Sequence, residues 1–518
     1  MINDYIRRLR RAWSDVEGES TYVWVRWFFL RGLGVISLIA FISFWVQLEG
    51  LVGSDGILPV KQFLGQVAEQ LGTERFFRFP TFAWLGSSDL FLHLMTASGV
   101  IASLMLTFNI APALSSFLIW GLYLSCCVAG QVFMQYQWDN LLIETSFLAI
   151  FVAPWQWRPK AGNRRAPNKI SIWLLRLLLF KLIFASGMVK LASGDQTWSG
   201  FTALTYHFFT QPLPTVFGWF FHQLPGWVLK GLTFLSLVLE IAVPFLIITT
   251  RKLRQWAGLL IGSLMVIIGL TGNYGFFNLL GILLCLSLFD DRALKYGYGW
   301  IKEMWKMDQY IGKGRLQQDM LPATSPKVYI MYLYIVLYLV VSLTQLTNIT
   351  GARGWIPGWA GDINQTIRSS RTINSYGLVA NMTTQRPEIM VQGSRNGRDW
   401  KTYQFKYKPD RLDEVPAWMQ PHMPRLDWQM WFAALSNYRW NPWFIQFTVK
   451  LMKGKQPVLE LLEKNPFPER PPRFIRAVKY RYRFTSFSSW WDTGRWWKRE
   501  RQGMYVPAFS LEQVRGAQ

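Results

Sequence analysis

The sequence predicts a polytopic α-helical membrane domain over residues 1–345, of about nine spans with half-spans allowed among them, followed by an extracytoplasmic β-rich α+β domain with a helical insert over 346–518. Three observations carry this reading. The chain of 518 residues is 51% hydrophobic and 16% aromatic with 28 Trp, too apolar for a soluble protein of its length. Long apolar runs recur through the first two thirds and stop near residue 345. Beyond them, Asn396-Gly397 separates two strand-like runs, 388–392 and 400–405, which is a strong hairpin signal.

Taken in order, apolar runs long enough to cross a bilayer fall near 28–48, 88–107, 112–133, 138–153, 170–192, 227–249, 255–270, 276–289 and 327–345. The fourth and eighth are short and suit half-spans buried in protein. Arg7, Arg8, Arg10 and Arg11 lead into the first run without a small-residue cleavage site, as expected of a retained helix. Those arginines, the loop from Arg158 to Lys169, the group Arg251, Lys252 and Arg254, and the segment from Arg292 to Lys327 all fall on one side of a nine-span arrangement. Basic short loops mark the cytoplasm, so the N terminus is expected there and residues 346–518 on the far side. For a bacterial source the expected membrane is the inner membrane. In the second domain, helical patterns near 427–435, 443–452 and 457–463 precede a strand run over 474–484.

The formal net charge of +24 is dispersed over loops and the Trp-rich terminal half, which suits anionic lipid headgroups and topology-setting better than nucleic acid. Trp490, Trp491, Trp496 and Trp497, interleaved with Arg495, Lys498 and Arg499, read as an interfacial belt. All three cysteines, Cys126, Cys127 and Cys285, lie in apolar runs, and the four histidines lack zinc-ligand spacing, so no redox pair, metal or cofactor is expected.

Ionisable residues inside spans are expensive and therefore candidates for function. Asp139, Glu144, Lys181, Lys190 and Glu240 are such residues, and with the Asn140 amide and with Asp195 just beyond the fifth run they form one candidate polar cluster. Asn140 and Glu144, four residues apart, share a helical face that either meets Lys181, Lys190 or Glu240 as a polar site or serves a helix end and one structural ion pair. His207 beside Tyr206 is either a proton-transfer partner or a packed, hydrogen-bonded side chain, and Asn273-Tyr274-Gly275 reads as a tight turn at the far-side surface. Asp427, Trp428, Trp431, Asn441 and Trp443 crowd aromatics onto short segments, which suits either a protein-contact surface or the core of the helical insert.

Several blocks carry a family resemblance. Gly187-Met188-Val189-Lys190-Leu191, Ser193-Gly194-Asp195, Trp198, Tyr206-His207 and Gln211-Pro212-Leu213-Pro214 resemble the signature of the lipase maturation factor family. Asp139-Asn140-Leu141-Leu142-Ile143-Glu144, the run 271–278, Arg425-Leu426-Asp427-Trp428 with its continuation to Leu435, Asn441-Pro442-Trp443-Phe444 and Asn465-Pro466-Phe467-Pro468 continue it in family order. The resemblance implies a membrane-embedded factor that assists folding or assembly of secreted lipases or other exported proteins, in the endoplasmic reticulum of eukaryotic relatives. Its partners are then lipase-like clients and membrane lipids, with the aromatic segment of Trp428, Trp431 and Trp443 as the client contact and no covalent step. A shorter stretch, Gly187 to Lys190 with Asp195 and Trp198, is similar to the pattern around the active-site lysine of vitamin K-dependent γ-carboxylase and its bacterial membrane relatives. That likeness implies either an enzyme acting on a quinone or another lipid-soluble substrate, with Lys190 as base and His207 as its partner, or a remote shared fold in which Lys190 is an interfacial, snorkelling lysine; a third reading makes Lys190 half of a structural ion pair with a carboxylate such as Asp195 or Glu144.

Overall fold

A computed structural model describes residues 21–159, 167–295, 326–352 and 357–515. Arg7, Arg8, Arg10 and Arg11, and most of the basic loops after Arg158 and Arg292, lie outside the described residues.

Seven helices are long and apolar enough to cross a membrane: α1 (Val23–Trp45), α2 (Asp89–Thr107), α3 (Pro112–Ala129), α5 (Lys169–Ala192), the span Gly226–Ile248 that begins with α7 (Gly226–Ile241), α8 (Arg251–Thr271), and Tyr329–Thr350 within α10 (Pro326–Thr350). The two short runs form α4 (Gln137–Val152) and α9 (Phe277–Cys285), the latter prolonged by a 3₁₀ turn to Leu288. A further helix, α6 (Ala203–Thr210), lies in the connection before α7. Their starts follow local chemistry. The Ser88 hydroxyl accepts from Phe91 N at 3.3 Å to cap α2, Asn168 Oδ1 accepts from Ile170 N at 2.9 Å to cap α5, and Pro112 opens α3 where no backbone donor is needed. The 24 residues of α5 give a helix about 36 Å long, enough for the ~30 Å hydrocarbon layer.

One end of the bundle is tied by carboxylates. Asp291 accepts from the N-terminal amides of α1 at Val23 (2.8 Å), Trp24 (2.9 Å) and Val25 (3.2 Å), where the helix dipole favours negative charge, and neighbouring Asp290 pairs with Arg251 at the start of α8. The far ends of α1 and α8 meet the second domain: Gln47 Nε2 donates to Met423 O at 2.9 Å, and Asn273 Nδ2 donates to Ala417 O at 2.7 Å. Asn273 is therefore buried at a junction between the halves of the chain, rather than turning at a free surface.

The second region is built on a four-stranded antiparallel sheet, order β2-β1-β5-β6, from β1 (Arg386–Ser394), β2 (Lys401–Thr402), β5 (Phe474–Phe484) and β6 (Trp497–Ser510). Gly397 takes the left-handed conformation, φ 75°, in the predicted β1–β2 hairpin. A two-stranded pair joins β3 (Gln404–Phe405) to β4 (Leu462–Lys464), and the insert contributes α11 (Arg425–Ala434) and α12 (Pro442–Met452). Most of the terminal tryptophan belt belongs to this core. Trp497 is 1% exposed, its ring 4.5 Å from Phe484, and Trp496 lies 5.0 Å from Trp219; Trp491, at 74%, is the exposed one. The reading as a belt missed β6 because clustered indoles suit a pleated inner face as well as a lipid interface.

Candidate functional site

Helix α5 carries both intramembrane lysines. Lys181 and Lys190 are nine residues apart, two and a half turns, so they point to opposite sides of the helix. Lys181 donates to Glu144 of α4 at 2.7 Å. The same carboxylate accepts from Tyr338 OH (3.0 Å), Asn374 N (2.8 Å), Asn374 Nδ2 (2.9 Å) and Tyr376 OH (2.8 Å), and it is fully buried. A charge without water needs this degree of pairing to remain ionised at low cost. Asn140, one turn before Glu144, accepts from Arg371 at 3.2 Å, and its carbonyl accepts from Asn374 Nδ2 at 3.3 Å. Three chain segments thus converge on one carboxylate of α4.

Asp139 faces a different partner. Arg425, at the start of α11, bonds it through both terminal nitrogens at 2.6 and 2.8 Å, and Tyr123 OH donates to the same group at 2.7 Å. Both members of this forked pair are fully buried, and the fork geometry is specific to Arg. A second buried arginine, Arg386 of β1, donates to the carbonyls of Phe209 (3.0 Å), Gln211 and Pro212 (2.8 Å) and pairs with Glu388 at 2.7 Å. The Gln211-Pro212 segment presents its carbonyls to that guanidinium. Sequence reasoning passed over Arg371, Asn374, Tyr376, Arg386 and Arg425, although Arg425 stands in a quoted motif. Polar residues outside the apolar runs carry no signal that they will join buried hydrogen-bond networks.

Lys190 pairs with Glu240 of α7, and its ammonium lies 5.0 Å from the centre of the Trp198 ring. Gly187, one turn earlier on α5, permits this reach: a Cβ there would stand 2.6 Å from Ile241 Cγ1 and 3.0 Å from Glu240 Cβ. Asp195 belongs to neither pair. It caps the short helix Gln196–Ser199, accepting from Thr197 N at 2.7 Å, and accepts from Met382 N of the second region at 2.6 Å. His207 Nε2 lies 3.3 Å from Tyr274 OH, which donates to Gln211 Oε1 at 2.9 Å. Burial, helped by the charge of Lys190, pushes His207 down to about 4, so the ring is neutral near pH 7. The proposed polar set therefore does not form one cluster: two ion pairs lie within it, and Asp139, Asn140 and Asp195 bond elsewhere; of its members Lys190 and Glu240, together with His207, line a cavity of about 190 Å³ bounded by α5, α6, α7 and α8.

The aromatic segment is largely internal. Trp428 is 4% exposed and meets Trp138 edge-on at 4.8 Å, with Tyr136 and Tyr274 next to it. Trp443, also buried, abuts Phe133 at 5.7 Å, and buried Asp427 accepts from the amides of Tyr407 (2.9 Å) and Lys408 (3.0 Å). Burial pushes the Asp427 carboxyl up to about 6. Trp431 is half-buried, its indole donating to Thr210 O at 2.8 Å, and Asn441 is half-buried within its own turn, donating to Ser436 at 2.7 Å. Asp427, Trp428 and Trp443 thus contact the protein's own elements, whereas Phe432, Leu435 and Trp440 are exposed beside them.

Comparison with known proteins agrees with this architecture along nearly the whole chain. The family model of the lipase maturation factor transmembrane domain matches residues 24–296, and that of the lipase maturation factor C-terminal domain matches residues 372–507. Lipase maturation factor 2 of Rattus norvegicus is 33% identical over 583 aligned positions, covering 93% of this chain and 82% of the relative. The Homo sapiens protein of the same name is 33% identical over 94% of this chain and 82% of its own. Lipase maturation factor 1 of Homo sapiens is 29% identical over 98% of this chain and 95% of its own. No solved structure matches. With both family regions present in order, and with Asp139 and Glu144 of the first bonded to Arg425 and Asn374 of the second, this integral multi-pass membrane protein belongs to the lipase maturation factor family.

Proposed function

We propose that this protein assists the folding or assembly of secreted lipases by holding partly folded client on the extracytoplasmic side of the membrane, without a covalent step. The observation that carries the proposal is the likeness to proteins named lipase maturation factors across both regions of the chain. The side is supported by the placement of the ends. Basic Arg251 sits with the N terminus of α1 at one end of the bundle, and the sheet region docks at the other. A non-covalent mode is supported by the cysteines, all three of which are buried in α3 and α9, away from any client-accessible surface.

Client contact is assigned to the exposed edge of the aromatic segment, at Phe432, Leu435 and Trp440, with half-buried Trp431 and Asn441 behind them. Large apolar side chains exposed together favour protein contact. The test is the yield of active lipase from cells with and without this protein. Loss of activity at unchanged lipase synthesis is expected, together with crosslinks from Trp440 to the lipase. Undiminished lipase activity in its absence would contradict the reading.

A further inference from the structure

The cavity beside Lys190 has a shape and a polarity that the assisted folding of a protein client does not explain. Leu235 of α7 and Ile267 of α8 line it and are also about half exposed on the outer face of the bundle, so its mouth lies between two helices that lipid surrounds. Its walls are apolar, from Leu232, Leu239, Leu264, Met265 and Ile268. At about 190 Å³ it is far above the ~15 Å³ that admits one water, and apolar cavities of such size take apolar matter. Its inner end is polar but carries no net charge. The Lys190 ammonium and the Glu240 carboxylate cancel, and His207 and Tyr274 add neutral hydrogen-bonding groups. Lys190 has three N–H donors and spends one on Glu240, which leaves donors for a ligand oxygen, while the other Glu240 oxygen can accept from a hydroxyl.

A second feature stands at the same end. Val379, from the segment before β1, lines the cavity with φ 55°, a left-handed conformation that is costly for a β-branched residue. The segment is pinned on both sides, at Gly377 by two bonds with the Gln137 side chain (3.1 and 3.2 Å) and at Met382 by Asp195. Strained backbone held in this way is found at ligand clamps.

We propose that this cavity binds one molecule of an uncharged acyl lipid bearing a hydroxyl and ester oxygens, of the diacylglycerol class. Its head enters sideways between α7 and α8 to reach Lys190, Glu240 and His207; about 190 Å³ holds that head and the first acyl carbons along the leucines, and the rest of the chains extends out through the mouth into lipid. A phospholipid fits less well, because among the described residues no unneutralised cation faces the head position.

Full-length protein in nanodiscs, photolabelled in parallel with a diazirine-acyl diacylglycerol and a diazirine-acyl phosphatidylglycerol, decides the matter by peptide mapping. The diacylglycerol label is expected on cavity-lining peptides of α5, α7 and α8, and to be competed by unlabelled diacylglycerol. Ser236→Trp, which fills the cavity, should lower that labelling roughly tenfold, while Leu259→Trp on the outer face of α8 leaves it unchanged. Should Ser236→Trp fail to accumulate, mapping and competition on the unaltered protein still decide. Labels confined to outward-facing residues, absence of competition, or equal labelling of the cavity by phosphatidylglycerol would overturn the proposal. These readouts do not depend on any lipase, so they stand apart from the maturation assay.

Discussion

Two lysines on one helix meet opposite fates. Lys181 ends in a closed knot in which Glu144 satisfies the ammonium, two tyrosine hydroxyls and the backbone and side chain of Asn374. Lys190, half a turn round on the other face, meets Glu240 and an indole ring on the wall of a cavity. The knot ties α10 and the 371–376 segment to α4 and α5, so its polar atoms are fixed by several chain segments at once. The second pair joins α5 to α7 and leaves donors free. Buried charge in a membrane protein is therefore no single signal of function: the number of independent donors around it separates a structural node from a site.

The largest effect is expected at the knot. Glu144→Leu leaves the Lys181 charge, the Tyr338 and Tyr376 hydroxyls and the Asn374 amide N–H without this acceptor, and breaking a buried pair from one side costs about 3–5 kcal/mol. Protein accumulation and protease resistance of the 371–507 region should both collapse; normal levels would remove the structural reading of this carboxylate. Trp428→Ala should also cost about 3–5 kcal/mol by emptying the stack against Trp138, whereas Trp440→Ala should leave abundance near normal and lower active-client yield. An equal loss of protein from both would erase the distinction between core and contact residues.

At the cavity, Lys190→Arg should be tolerated in protein level and client maturation, since the charge on Glu240 stays neutralised, while Lys190→Met should lower the level. A fully expressed but inactive Arg variant would point instead to a base, because Arg keeps its proton at any accessible pH. Gly187→Ala should push α5 from α7 at a cost of about 1–3 kcal/mol, with helix-to-helix crosslinking as the readout. The smallest effect concerns pH. The folded-state pKa of His207 is depressed from 6.5 to about 4, so its contribution to stability is present above pH 6.5 and fades as pH falls toward about 4. His207→Phe should flatten the melting-temperature profile in that window and leave it unchanged at pH 8; an unaltered slope would mean that other groups carry it.

Helix positions were legible because apolar length is a local property. The nine apolar runs all became helices, most within a few residues of their expected ends, and the two short ones stayed short. The hairpin at Asn396-Gly397 and the strand 474–484 were legible for the same reason. Pairing was not. Lys190 found Glu240, fifty positions away, rather than Asp195 or Glu144, and Asp139 found Arg425 at a separation of 286. A charge declares that it needs a partner, but the choice depends on which helices touch, and Gly187 decides that contact through the side chain it lacks. The aromatic motif misled for a related reason: indoles suit a client surface, an interface and a core equally well, and only the neighbours of Trp428 and Trp497 distinguish them.

The claim that one lysine holds the fold while the other faces a site is tested most directly by two matched double variants. Thermal unfolding of Lys181→Met/Glu144→Leu and of Lys190→Met/Glu240→Leu, in the same detergent, compares removal of each pair entire. Replacing a buried ion pair by apolar groups is often neutral or stabilising where nothing else depends on it. The second variant should therefore melt close to the unaltered protein. In the first, Tyr338, Tyr376 and Asn374 remain as orphaned donors at about 1–3 kcal/mol each, so it should melt far lower or fail to accumulate. Equal melting of the two, or a lower value for the Lys190 variant, would contradict the account.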